Sequence, residues 1–232
     1  MNARAAQARR GSAPGARADA TPEDLRAQSG QLVAGLAELG LVLPDGAPAA
    51  LIEYLVLLAK WNRTYNLTAL RTAGEMLTHH LLDALAVLPH LGQVQRLVDV
   101  GSGAGVPAIP FAIARPELQV LSIDPVDKKI AFQRQARMEL RLDNLELYCA
   151  RAESVAAPGA QIVIARAFAE LADFAAAAGH LVAPGGALLA MKGVYPQHEI
   201  ERLPDSWRVE RSLRLEVPGL DAERHLIWLR KH

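Results

Sequence analysis

The stretch LVDVGSGAGVP, Leu97 to Pro107, joins a short apolar run to a turn with glycine at Gly101, Gly103 and Gly105. An apolar run of this length bounded by glycine reads as a buried strand. Helix-compatible residues follow from Pro107 to Ala114, so the glycines sit between a strand and a helix. Glycine lacks a β-carbon, which makes positive φ and close approach of backbone to a ligand inexpensive. Asp124 ends the next apolar run, 25 residues beyond Asp99. A carboxylate at the end of the second strand is placed to accept hydrogen bonds from ribose hydroxyls. The pair predicts a nucleoside-containing cofactor.

The spacing of the glycines selects among such cofactors. From Gly101 the run is GxGxG, and Val106 occupies the sixth position, where a dinucleotide turn carries glycine or alanine. Its absence weakens a pyrophosphate site. S-adenosylmethionine carries no phosphate and needs a close turn and polar groups facing its amino acid and ribose. The turn therefore favours that donor over NAD. Asp99, Gly101, Ser102, Gly103, Gly105, Val106 and Asp124 are the expected cofactor contacts, together with Lys128 near the following helix start.

Working outward, strands and helices alternate after Gln95. Strands are expected at Arg96–Val100, Gln119–Asp124, Leu145–Ala150, Gln161–Ala165 and Ala187–Met191, with helices at Asp127–Leu140 and Glu170–Leu181. That alternation predicts a mostly parallel, Rossmann-like α/β sheet. Trp207–Val217 and His225–Leu229 are separated only by a turn containing Pro218 and Gly219, too short for a crossover helix. They predict an antiparallel hairpin that completes seven strands. Upstream, Thr21, Pro22, Glu23 and Asp24 form a helix start, and the helix is expected to run to about Leu39 before Gly40. A second helix from Pro48 should bury Leu51, Tyr54, Leu55 and Leu58, and a third should span Ala73–Leu88. The expected division is a disordered basic tail at 1–20, a helical extension at 21–94 and a cofactor-binding core at 95–232.

Composition narrows the function classes. Formal net charge is zero, so the chain is not a broadly basic nucleic-acid-coating protein, although the first 20 residues hold four arginines against Asp19. One cysteine, Cys149, leaves no disulfide framework and no thiolate zinc cluster; it favours a reducing, cytoplasmic setting. Within LELYCA it is expected to be buried in a strand. His79 lacks a second ligand pair at metal-binding spacing. No apolar run approaches the roughly 20 residues needed to cross a bilayer.

Several further segments matter as a set: WNRTYNLTAL at Trp61–Leu70, HLLDAL at His80–Leu85, IDPVDKK at Ile123–Lys129, RAE at Arg151–Glu153, ARA at Ala165–Ala167 and MKG at Met191–Gly193. With the glycine run, their order and spacing resemble the bacterial small-subunit ribosomal RNA guanine-N7 methyltransferases, the RsmG or GidB family. The resemblance is strong over residues 48 to 193 and weaker in the hairpin. It implies a class I methyltransferase fold, S-adenosylmethionine as donor and 16S ribosomal RNA as acceptor, with a guanine of its 530 loop as target in the small subunit or an assembly intermediate. It also implies cofactor contacts at Gly101 and Val106, Ala152 and Glu153 along the adenine, and Arg166 as a binding arginine. Lys192 matches the family's lysine near the open end of the core, and His80 and Asp83 match its His and Asp in the helical segment, with His80 a substrate-positioning candidate. Ala84 stands where the family commonly has serine, and Val106, Pro107, Ala108 stand where Phe, Pro, Gly is common. A hydroxyl-dependent role at Ala84 is thereby excluded.

Other residues near the expected site carry two readings. Asn62 and Asn66 either satisfy turn backbone or position substrate. Arg151 follows a strand and is a further positioning candidate. Trp61 reads as an anchor between the helical extension and the sheet. Lys128 and Lys129 flank a helix start, where positive charge gains nothing from the helix dipole. Methylation at cytosine C5 ordinarily uses a cysteine nucleophile. Exocyclic-amine methylation favours an Asn/Asp-Pro-Pro-aromatic run after the fourth strand, where this chain has Ala165, Arg166, Ala167 and Phe168. No residue is expected to act as nucleophile or general base, and no metal is expected.

Overall fold

The structure, a computed structural model, describes residues 19–156, 159–166, 168 and 170–232. Seven strands form one sheet: β1 (Arg96–Val100), β2 (Gln119–Ile123), β3 (Leu145–Tyr148), β4 (Ala160–Ala165), β5 (Val182–Lys192), β6 (Trp207–Arg214) and β7 (His225–Lys231), in the order β3-β2-β1-β4-β5-β7-β6. Strands β1 to β5 are mutually parallel, and β7 runs antiparallel to both β5 and β6. The order reverses between β1 and β4, so the loops after both strands open into one crevice at the strands' C-terminal ends. Open α/β sheets bind ligands at such a switch point.

Helices α6 (Ala108–Ala114) and α7 (Asp127–Glu139) pack against the first strands, and α8 (Leu171–Ala178) lies against β5. Upstream lie α1 (Pro22–Arg26), α2 (Ser29–Glu38), α3 (Ala47–Tyr65), α4 (Ala73–Met76) and α5 (Asp83–Leu85); α9 (Gln197–Ile200) precedes the hairpin. Leu51, Tyr54, Leu55 and Leu58 of α3 are buried, as their spacing predicts, and share one hydrophobic cluster with Leu97, Ile164 and Leu226. The Tyr54 hydroxyl donates to the carbonyl of Ala104 at 2.8 Å, and Trp61 packs edge-on against Phe132 of α7 at 5.7 Å. The aromatic side chains of α3 thus fix the extension to the helix that follows β2.

Three differences from the sequence expectations have local causes. The helix from Thr21 is two helices. Its start has the expected capping box between Thr21 and Asp24, but the Ser29 hydroxyl donates to the Arg26 carbonyl at 2.7 Å, competing with the backbone ladder. The Ala73–Leu88 segment contains a π-helical stretch, Leu77–Leu82, in which the Asp83 N–H donates to the Thr78 carbonyl, five residues back. The wider turn rotates successive residues by less than an α-helix does. It brings His79, His80 and Asp83 to one cleft. Finally, β5 begins at Val182, so Pro184, Gly185 and Gly186 form a kink inside the strand, where the β4–β5 register shifts between Ala160 and Ile162.

Of the expected tail, residues 1–18 lie outside the described residues. Ala20 is buried and its N–H donates to the Arg71 carbonyl at 2.7 Å. Cys149 corrects the expectation of a buried strand residue. Strand β3 is an edge strand that ends at Tyr148, and Cys149 beyond it is exposed. Among the described residues, no helix is long and apolar enough to cross a membrane, and no group of three or more metal-ligating side chains is assembled.

Candidate active site

The C-terminal ends of β1 to β5 and the loops after them carry most of the residues singled out in the sequence; Asn62, Asn66 and His80 belong to the upstream helices. Gly101, Gly103 and Gly105 all adopt positive φ, at 71°, 61° and 82°. At Gly105 a β-carbon would also lie 2.5 Å from Ile109, so both conformation and packing demand glycine. At Gly101 and Gly103 no atom lies within 4 Å of such a β-carbon, leaving that face of the turn open to a ligand. The closed face is held by a polar network. The Gln133 amide donates to the Ser102 hydroxyl at 2.9 Å and to the Gly103 carbonyl at 3.0 Å, while its oxygen accepts from Ser122 at 2.6 Å. Ser102 is therefore buried with its hydroxyl committed to the turn.

Asp99 is fully buried beneath the turn. One carboxylate oxygen accepts from the Ala108 N–H at 3.1 Å, and Oδ1 has no partner. Burial pushes its carboxyl up to about 7, against the opposing pull of the Ala108 N–H and of Arg166. Asp124 accepts from the N–H groups of Gly103 and Val126, each at 2.9 Å, and from Lys129 at 3.4 Å. Asp124 is 2% exposed, and these bonds commit its carboxylate to shaping the turn. Lys129 thus meets Asp124, whereas Lys128, the expected cofactor contact, donates to the Tyr65 carbonyl at 2.9 Å. That bond satisfies a carbonyl at the negative end of α3 and explains a cation that its own helix start does not favour. Ala152 and Glu153 form a short 3₁₀ turn after β3, Ala152 buried and Glu153 exposed; Arg151 beside them is exposed.

Past the end of β4 an open cleft of about 400 Å³ is lined by His79, His80, Asp83, Arg166, Lys192 and Arg224, among others. Three of the sequence-predicted positioning residues meet here: His80, Arg166 and Lys192. Arg166 donates to the His79 carbonyl at 2.8 Å and lies 3.7 Å from Asp83. It follows β4, whose Ile164 pairs with Asp99 of β1, so it stands beside the strand that leads into the glycine turn while lining the cleft. His80 is 4% exposed, with Nε2 3.0 Å from the Thr68 hydroxyl and Nδ1 unpartnered. Burial drags its pKa down to about 3, with Arg166 and His79 adding to the shift, so the ring is neutral near pH 7. Lys192 pairs with Glu199 at 2.7 Å and donates to the Phe168 carbonyl, tying β5 to α9.

Asn62 and Asn66 are not brought into the cleft lining. Asn62 is buried and braces the following loop through the Thr68 N–H and the Leu70 carbonyl; exposed Asn66 caps α3 in the left-handed conformation and accepts from Arg71. Sequence reasoning did not single out Gln133, Thr68 or Arg224. Gln133 had a signal, since it lies between Ile130 and Ala136 on the buried face of α7. Arg224 had none, because its partner Asp83 is 141 residues away.

The residues present fit S-adenosylmethionine: an open glycine turn for its methionyl part, an unpartnered buried carboxylate oxygen for a cation, and a second carboxylate at the end of β2. Sheet order, antiparallel β7 and this turn define a class I S-adenosylmethionine-dependent methyltransferase. Two solved structures share the fold: an S-adenosylmethionine-dependent methyltransferase from Aquifex aeolicus (TM-score 0.53, 18% identity, 67% of this chain and 92% of that one), and TrmN from Thermus thermophilus (TM-score 0.53, 19% identity, 94% and 81%). The family model for GidB, rRNA small subunit methyltransferase G, matches residues 48–227. Ribosomal RNA small subunit methyltransferase G of Neisseria meningitidis is 53% identical over 201 residues, covering 87% of this chain and 97% of that protein. Its counterpart in Azoarcus sp. is 53% identical over 200 residues, covering 86% and 94%. The chain belongs to the GidB family.

Proposed function

We propose that the chain transfers a methyl group from S-adenosylmethionine to N7 of a guanine in the 530 loop of 16S ribosomal RNA, in the cytoplasm, on the small subunit or an assembly intermediate. Bound S-adenosylmethionine supplies an electrophilic methyl on a sulfonium. Asp99, the backbone at Gly101 and Gly103, Val106, Asp124, Ala152 and Glu153 hold the donor in this reading, and the cleft beyond Arg166 receives the base. The observation that carries it is the place of Arg166, which lines the cleft and stands just past β4, beside the strand that leads into the glycine turn.

Guanine N7 has an in-plane lone pair and needs no deprotonation, so the protein's task is alignment and electrostatic control. His80 fits that account. With its pKa near 3 it is too weak a base to abstract a proton at neutrality, and it offers the cleft a neutral polar ring. In this reading Arg166 donates to the guanine oxygen or to phosphate. Exposed Cys149 stands beyond the end of β3, 4.0 Å from the Pro125 carbonyl, and is not among the residues lining the cleft. The test is incubation with labelled donor and unmodified small subunits or 16S RNA, followed by nucleoside analysis. 7-Methylguanosine is the expected product, with Cys149→Ala still forming it; 5-methylcytosine or an exocyclic-amine product would overturn the reading.

Donor binding is expected to depend on pH through Asp99. Its carboxyl titrates near 7 in the free protein, and a cationic amino group at Oδ1 favours the ionised form. Affinity should therefore rise with pH, by up to about tenfold per unit below pH 7, and level off above it. The free protein's stability runs the other way. Between its ordinary pKa of 3.8 and about 7 the folded state keeps a proton that the unfolded chain has released, so stability falls as pH rises across that window. Calorimetric titration of donor at several pH values checks the first effect; an affinity independent of pH in the wild type, or an unchanged slope in Asp99→Asn, would remove Asp99 from the site.

A further inference from the structure

The two oxygens of Asp83 face two guanidinium groups from distant parts of the chain. Oδ1 accepts from Nε of Arg224 at 2.9 Å, and Oδ2 lies 3.7 Å from NH1 of Arg166. The first is a charge-assisted hydrogen bond, and the second is an ion pair without hydrogen-bond length. Arg224 stands just before β7, and its NH1 is anchored on the Glu223 carbonyl at 2.8 Å. Arg166 is fixed from the same π-helical segment that precedes Asp83, through the His79 carbonyl. The hairpin thus holds the carboxylate that faces the arginine between the donor turn and the cleft.

Charge bookkeeping makes this arrangement more than a staple. Asp83 is buried, and burial pushes its carboxyl up while Arg224 and Arg166 pull it down, Arg224 more strongly. The charged or titratable groups acting on it are Arg224 from the hairpin, Arg166 from the end of β4 and His79 from its own helical segment; His80 and Lys192 line the same cleft. Without Arg224 the carboxyl keeps its desolvation and loses its strongest cation. Its proton affinity therefore rises further, and once it is protonated Arg166 loses its anionic partner.

We propose that Arg224 is a positioning residue for methyl transfer: by fixing the Asp83 carboxylate, it sets the Arg166 guanidinium at the boundary between donor turn and acceptor cleft. The proposal rests on the assignment of that cleft to the methyl acceptor. A staple between hairpin and helices would affect only stability. A positioning role affects the rate, and does so with a particular pH signature.

The test is single-turnover methyl transfer to unmodified small subunits at saturating donor and RNA, from about pH 6 to about pH 8.5, a range that brackets neutrality. Wild type is expected to change little across it. R224A is expected to be about tenfold slower at pH 6.5, recovering part of that loss at the alkaline end, as a carboxyl titration requires. R224K, which keeps a cation facing Asp83, should lose the acidic limb and run within about threefold of wild type. The double variant D83N/R224A should be slow at every pH, because the titrating group is gone. Donor affinity of R224A by calorimetry should stay within about twofold of wild type, since Asp99 and Asp124 are untouched. If R224A does not fold, R224Q carries the same comparison with most of the side-chain bulk retained. R224A or R224Q matching wild type at all pH values, with only a lowered melting temperature, would overturn the proposal. A wild type that transfers no methyl to small subunits would instead overturn the functional reading beneath it.

Discussion

Arg166→Ala is expected to slow single-turnover methyl transfer by about two to three orders of magnitude at saturating donor and RNA, the scale set by losing one preorganised donor at a reacting centre. The side chain is held at two points, the His79 carbonyl at 2.8 Å and Asp83 at 3.7 Å, so its donors are aimed before substrate arrives. Preorganisation is what gives such a group its effect, because no reorientation accompanies the reaction. Asp83 keeps its shorter bond to Arg224 in the variant, which protects the fold from a wholly unpaired buried carboxylate. Arg166→Lys should recover only part of the rate, since an ammonium cannot reproduce the planar fork. A second effect separates Arg166 from a general RNA contact. Its charge also lowers the Asp99 carboxyl, so in Arg166→Ala the pH midpoint of donor binding should move upward. Rates within about threefold of wild type, with an unmoved midpoint, would remove Arg166 from the site.

The parallel core was legible because β1, β2 and β4 are short apolar runs and β5 contains one, a pattern that depends on few long-range contacts. The hairpin was legible for the opposite reason, since the Pro218–Gly219 turn left no room for a helix. What the sequence concealed were local competitions. Nothing in residues 73–88 marks the extra residue that converts Leu77–Leu82 to π-helical pairing, because apolar residues fill both faces of that segment. The Pro184-Gly185-Gly186 run looks like a turn before a strand. In the sheet it is a kink, because Gly186 lies so close to the carbonyls of Ala160 and Gln161 that a β-carbon would stand 2.8 Å from each. Cys149 was misplaced because an apolar-looking run does not say where an edge strand ends.

Of the residues proposed to hold the donor, the glycine turn and Asp124 stood out from spacing, since glycine conformation and a strand-end carboxylate are local properties, whereas Ala152 and Glu153 entered only through family resemblance. The acceptor side was only half legible. His80, Arg166 and Lys192 stood out through family resemblance, yet what holds Arg166 among them is the Asp83 carboxylate, itself fixed by Arg224 from 141 residues further along the chain. Lys128 and Lys129 show the limit in small compass. Adjacent lysines on one helix start point about 100° apart, and only the fold sends one to the Tyr65 carbonyl and the other to Asp124.

Asp124→Ala is expected to weaken S-adenosylmethionine binding by about 10- to 150-fold, the equivalent of losing about 1.5 to 3 kcal/mol of hydrogen bonding to a charged group. Sequence spacing alone casts the residue as a ribose contact. The structure gives the carboxylate a second task, because it already accepts from the N–H groups of Gly103 and Val126 and meets Lys129. Three of its roughly four lone-pair positions are thereby engaged, so a ribose hydroxyl competes with Lys129, the longest contact at 3.4 Å, or takes the remaining position. Alanine removes the ribose acceptor and frees the Gly103 N–H in the turn the donor must approach. The affinity loss therefore has two sources, which Asp124→Asn separates. Its single carbonyl oxygen can still hold Gly103 or Val126 but carries no charge for Lys129 or the ribose, so it should keep more of the wild-type melting temperature than alanine while losing most of the affinity. Calorimetric titration of donor into each folded variant, beside thermal denaturation, reads both quantities. A folded Asp124→Ala that binds donor as tightly as wild type would leave the carboxylate as a brace for the turn and take it out of the cofactor site.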